Sequence, residues 1–175
     1  KVVKYGFNTN LVYSETNMGA GGGYYTDPIT QAYMQSPITT PKNEDGSWNF
    51  DTVNGYNPVA QRSATGDQSL AKQYRVLISP WMQINFTPEI FFLSRASADV
   101  HLVDEFGLWS FMQPQGKDMN GMGENSNNTN VHLQITNTVN WIKTFNNAHN
   151  LNLMLGQQAQ KTWLKQAYLA ASNYP

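Results

Sequence analysis

From Tyr74 to Phe86 the even positions read Tyr, Val, Ile, Pro, Met, Ile, Phe, and the odd positions between them read Arg, Leu, Ser, Trp, Gln, Asn. A repeat of two is the mark of a β-strand with two different faces. It recurs from Ile90 to Leu102, where Ile90, Phe92, Ala96, Ala98, Val100 and Leu102 alternate with Arg95, Ser97, Asp99 and His101. It recurs again from Val131 to Trp141, where Val131, Leu133, Ile135, Val139 and Trp141 alternate with His132, Gln134, Thr136, Thr138 and Asn140. Tyr5, Phe7, Thr9, Leu11 and Tyr13, and later Leu151, Leu153 and Leu155, give two weaker cases. These patterns predict an all-β chain of about five strands, longer than the roughly 5–6 residues usual in globular proteins. Strands that cross a membrane need about 9–11 residues. Pro80 interrupts the second strand and removes a ladder donor, so it is expected at a bulge or a non-bonded position.

The links between these strands alternate in length. A long loop spans 15–68, a tight turn surrounds Thr87-Pro88, a second long loop spans 107–128, and a short turn covers Asn146–Asn150. An antiparallel meander in an outer-membrane barrel has this pattern, with short turns at the periplasmic end and long extracellular loops. An ordinary soluble domain rarely holds a structureless loop beyond about 15 residues. The first loop carries MGAGGGYY and four of the eight prolines without helical periodicity, and the second is rich in Asn and Gly. The stretch 157–172 contains good helix formers and is compatible with a short helix or with continuation of the strand.

Composition agrees with two unlike surroundings. Apolar residues make up 40% of the 175 residues, which excludes a disordered chain. Charged residues are only 13%, and uncharged polar residues replace them. That balance suits lipid on one face and a wet lumen on the other. Eleven Lys and Arg stand against twelve Asp and Glu, so nothing draws nucleic acid. The chain lacks cysteine, which excludes a disulfide framework and thiol chemistry. No apolar run is long enough for a transmembrane helix. The chain starts at Lys1 without a signal peptide, and both ends read as cuts through a larger protein.

Catalytic readings are weak. Asp104 and Glu105 are adjacent, so on a strand they point to opposite faces and cannot share a substrate. His101 and His132 lie on polar faces of strands expected to be near each other, so a metal site is conceivable, but the simpler reading is hydrogen bonding in a lumen. MGAGGG lacks the Lys and Ser/Thr of a phosphate loop. Met112, Met119 and Met122 have no nearby ligand of another kind, so no metal or cofactor is expected. The aromatics are more informative. Phe86, Phe91 and Phe92 flank one short turn, Trp141 and Phe145 precede the other, and Tyr5, Tyr13, Tyr74, Trp109 and Phe111 fall toward other strand ends. Girdles at two membrane interfaces are the expected reading.

Four segments in order carry a resemblance to a known family: KYGFNTNLVYS, DGSWNFDTVNGYNPVAQ with its YNP, VLISPWMQINFTPEIFFLSRASAD with a Thr-Pro turn, and TNTVNWIKTFNNAHNLNLMLGQQAQK. Together they resemble the barrel portion of a SusC/RagA-like TonB-dependent transporter from Bacteroidetes-type outer membranes, over nearly all of 1–175. Gln157 and Gln158 stand where many members carry Glu. The resemblance implies a partial barrel without the plug domain, and not an enzyme. It implies import of large nutrients, glycans or peptides, with a SusD-like lipoprotein lid and TonB acting through the plug. Substrate and lid would then meet the long loops, since one strand face meets lipid and the other a filled lumen. Tyr24, Tyr25, Trp48, Tyr56, Trp109 and Phe111 are the candidate contacts, because aromatic faces stack on sugar rings. Trp48 and Tyr56 have an equally good reading as pins that hold a long loop to itself. The rival for the whole chain is a soluble β-sandwich that binds carbohydrate.

Overall fold

The computed structural model describes residues 2–17 and 27–173. Its five strands are β1 (Val2–Asn17), β2 (Gln68–Asn85), β3 (Ile90–Trp109), β4 (Met122–Phe145) and β5 (His149–Ser172). They form one sheet in the order β1-β2-β3-β4-β5, an antiparallel meander that does not close. The all-β expectation and the long–short alternation of links are both borne out. The strands extend past the alternating cores read from the sequence. β3 and β4 run further than expected, so the second long link shrinks from 107–128 to 110–121. The stretch 157–172 is strand, because pairing with β4 overrides the local helix preference.

The chain divides into two compact units. The strand unit holds 2–13, 73–102 and 128–165, and both short turns belong to it. The loop unit holds 14–17, 27–72, 103–127 and 166–173, and both long links belong to it.

In the strand unit the registers can be followed from side chains. Tyr13 meets Tyr74 with ring centroids 4.9 Å apart. Seven residues on in each strand, Gly6 lies under the Trp81 indole. Four further, the Asn85 amide donates to the Val2 carbonyl at 3.3 Å. Equal steps in opposite directions mean an antiparallel pair with no bulge against β1, although β2 runs through Pro80. The pair β4–β5 behaves alike: Thr144 donates to Asn150, Asn137 to Gln157, and His132 shares a hydrogen bond with Thr162. Each turn has a local cause. The Thr87 hydroxyl oxygen accepts from the N–H groups of Glu89 and Ile90, while the Ile90 carbonyl accepts from Phe86 and Thr87. Asn146 and Asn147 both take positive φ (51° and 52°) and the Ala148 N–H closes on the Phe145 carbonyl. Two consecutive left-handed residues match the right-handed strand twist, and Asn tolerates that conformation well.

The strand unit has no apolar core among its described residues. One face carries Ile78 and Pro80, Ala96 and Ala98, Leu133 and Ile135, and Ala159 around a single depression. The opposite face brings together Arg95, Gln134, Thr136, Thr138 and Asn140. Ile78, Ala96 and Ala98 therefore share a face. Val76, Ile78, Met82, Leu133, Ile135 and Val139 are all exposed, so the apolar face is left open.

Candidate functional site

The loop unit inverts the usual arrangement, with a polar interior. Its fully enclosed large side chains are Gln31, Asn57, Gln61 and Gln113, joined by Asp67 and Ser110, whereas the buried apolar residues are Tyr56, Ala60 and Ala71. Three short helices, α1 (Pro28–Met34), α2 (Pro58–Gln61) and α3 (Pro114–Lys117), each place proline first, where its missing N–H costs nothing. The Asp27 carboxylate caps α1 by accepting from the Thr30 N–H at 2.9 Å. The Asn57 side-chain carbonyl caps α2 by accepting from Val59 and Ala60. These helices correct the expectation of loops without helix. They are too short to show a period; leading prolines mark all three, and side-chain caps mark α1 and α2 but not α3.

Asn57 also ties the first link to itself and to the second. Its amide donates to the carbonyls of Pro41 at 2.7 Å and Asn49 at 2.8 Å. Gln113, from the second link, donates to the Asn57 carbonyl at 3.3 Å and accepts from the Asn57 N–H at 3.4 Å. Asp67 makes the other join. One carboxylate oxygen accepts from the Ser110 N–H at 2.7 Å and the other from the Gln61 amide at 2.9 Å. The Ser110 hydroxyl returns a bond to the Thr65 carbonyl at 3.0 Å. Burial pushes the Asp67 carboxyl above its ordinary value, against the lowering effect of the Ser110 and Gln61 donors. Burial likewise raises Tyr56, with a smaller push from the Asp67 charge.

The candidate contact residues fare differently. Tyr24 and Tyr25 lie outside the described residues, as does the MGAGGG string. Tyr56 is 8% exposed, so its ring is enclosed and not offered to a ligand. It immediately precedes the Asn57 cap, and its carbonyl is held by Gln35 and Thr52. Trp48 is half-buried in a small antiparallel bridge with Lys42, whose ammonium stands 4.7 Å from the ring centre. Trp109 ends β3 half-buried, with its indole N–H enclosed and without a hydrogen-bond partner among the described residues. Phe111 remains available. It is 47% exposed and lines a cavity of about 420 Å³ with Ala64, Thr65, Gln68, Leu108, Ser110 and Met112. This cavity is lined in part by Ser110, the residue that joins the two links. The sequence signal that could have found it is the Asn57-Pro58 cap shortly before GDQS, since a capped helix fixes the chain that follows it.

In the strand unit the polar face holds a two-point ion pair, Arg75 to Asp99 at 3.0 and 2.5 Å. Among the described residues no three His, Asp or Glu converge as metal ligands. In the loop unit the Asp104 carboxylate accepts from the Asn125 amide at 3.0 Å.

The apolar face ends in two rows. Near one short turn, Trp141, Lys143 and Phe145 alternate on β4, with Lys143 and the Trp141 indole both directed at Glu89. On β5 the row is Lys161, Trp163 and Lys165, with the Lys161 ammonium 4.8 Å from the Trp163 ring centre. By the β4–β5 register Trp141 faces Leu153, ten residues before Trp163. At about 3.3 Å per residue, the rows are roughly 33 Å apart along the strand. Phe91 departs from its expected place in a girdle. As an odd residue of β3 it faces the polar side with Arg95, opposite to Phe92. No protein-family model matches the chain, and no curated protein sequence matches it.

Proposed function

We propose that this chain is a segment of an outer-membrane transporter barrel, of the TonB-dependent SusC/RagA-like kind, that imports large nutrients, glycans or peptides, with a SusD-like lipoprotein over its loops. The observation that carries the reading is an exposed apolar sheet face bounded by two aromatic–lysine rows about one bilayer core apart. The opposite face carries the Arg75–Asp99 pair and groups Arg95, Gln134, Thr136, Thr138 and Asn140 with Phe91, Leu93 and Met154, a mainly polar lining that suits a wet lumen. β1 and β5 each leave an edge without a partner among the described residues. Unpaired backbone groups are intolerable in lipid, so the proposal requires further strands on both sides. A soluble sandwich needs a second layer over the apolar face, and the described residues of the strand unit are strands and two turns only. Transport is the whole protein's work and not enzymatic, with TonB reached through the plug.

The loop cavity at Phe111 is the proposed point of substrate or lid contact. In cells expressing the protein, the links 27–67 and 110–121 are shortened in turn. Uptake of candidate glycans and peptides, and association with the lid lipoprotein, are then measured, with insertion checked separately. The reading expects either function to fall while insertion persists. If both survive loss of both loops in an inserted barrel, loop-based capture is wrong.

A further inference from the structure

The two rows that bound the apolar face differ in one respect. At the turn end Lys143 has a carboxylate, Glu89, 3.3 Å away. On β5 neither Lys161 nor Lys165 has an acidic partner among the described residues. The only described acids of the strand unit are Glu89 and Asp99, and Asp99 is engaged by Arg75 on the opposite face. On a face whose other polar groups are paired, Asn137 with Gln157 and Lys143 with Glu89, these two lysines are left without a carboxylate partner among the described residues, and cation–π contact with Trp163 only fixes where one of them stands.

Beside them the apolar face is not flat. Ala96 and Ala98 of β3 form low ground between Ile78 on β2 and Leu133 on β4, and Lys161 lies at the β5 end of the same hollow of about 540 Å³. A lysine stem lies easily along such a surface while its ammonium reaches the polar layer.

We propose that this hollow and the Lys161–Trp163–Lys165 row bind one membrane lipid with an anionic phosphate headgroup. An acyl chain would lie over Ala96 and Ala98, and the phosphate would meet the two ammonium groups. Charge complementarity selects the occupant, since a neutral lipid leaves both lysines uncompensated and a protein helix would have to present acids at this spacing. The inference rests on the reading of this face as lipid-facing.

The test uses the intact barrel that carries this segment, with the flanking strands its two open edges require, and vesicles of phosphatidylcholine alone and of phosphatidylcholine mixed with phosphatidylglycerol. An ammonium near an anionic surface is worth about fivefold in binding, so two give a preference of about 30-fold for the mixed vesicles. Lys161→Gln with Lys165→Gln should abolish that preference and keep binding to pure phosphatidylcholine. Lys143→Gln, at the paired row, should leave the preference intact. Ala98→Phe should fill the hollow and reduce the phosphatidylglycerol that copurifies with the chain. Equal binding to both vesicles, or a preference that survives the double change, overturns this inference and leaves the membrane reading standing. Failure to bind phosphatidylcholine at all overturns the membrane reading, and the lipid site with it.

Discussion

Replacing Asp67 by alanine should loosen the join between the two long links while leaving the strand unit intact. The carboxylate accepts two hydrogen bonds, from the Ser110 N–H at 2.7 Å and the Gln61 amide at 2.9 Å, and the residue is 3% exposed. Each bond to a charged acceptor contributes about 1.5–3 kcal/mol. Removing the carboxylate also removes its burial cost, which its raised pKa reports, so the two effects oppose. Two buried donors left without acceptors outweigh that relief, and a net loss of about 2 kcal/mol is expected. Asparagine keeps the shape and one acceptor and should cost about 1 kcal/mol or less. Hydrogen exchange on the full chain reads this directly, because local opening of the join exposes the Ser110 amide. Its exchange should quicken about 30-fold with alanine and far less with asparagine. Ser110 exchanging in the alanine protein as slowly as in the parent would refute the argument.

Three further outcomes follow from the same geometry. The proton-linked part of the stability at Asp67 should be fully present below about pH 3.8 and be lost as pH rises through its raised folded value, since the folded state holds the proton more firmly; Asp67→Asn should remove that component from a pH series of Ser110 exchange. Alanine at Gly66 would put a Cβ 2.3 Å from the Ala60 carbonyl oxygen, and at Gly116 2.3 Å from that of Ser110. Both changes should make the loops far more sensitive to protease than Gly46→Ala, where nothing lies within 4 Å and only the positive φ resists. On the faces, Ile135→Arg should cost about 2–4 kcal/mol of membrane-inserted stability in a denaturant titration, and Thr136→Arg little; equal costs would mean the faces are misassigned.

Much of the strand unit was legible in the sequence. Alternation at Tyr74–Phe86, Ile90–Leu102 and Val131–Trp141 reports which side chains share a face, because that property is local to a pleated strand. Turn chemistry was local too, at Thr87 and at Asn146-Asn147. What the sequence did not determine depended on partners distant along the chain. The stretch 157–172 carries a helical preference, and only pairing beside β4 made it strand. The loop cavity was least legible of all. Its walls exist because Asn57 meets Gln113 and Asp67 meets Ser110, contacts 56 and 43 residues apart in sequence. A buried polar residue looks like a surface one until its partner is known, since the same amide is satisfied by water or by a carbonyl. The chain's alternating faces were therefore its own, and its enclosed loop chemistry was made by the tertiary fold.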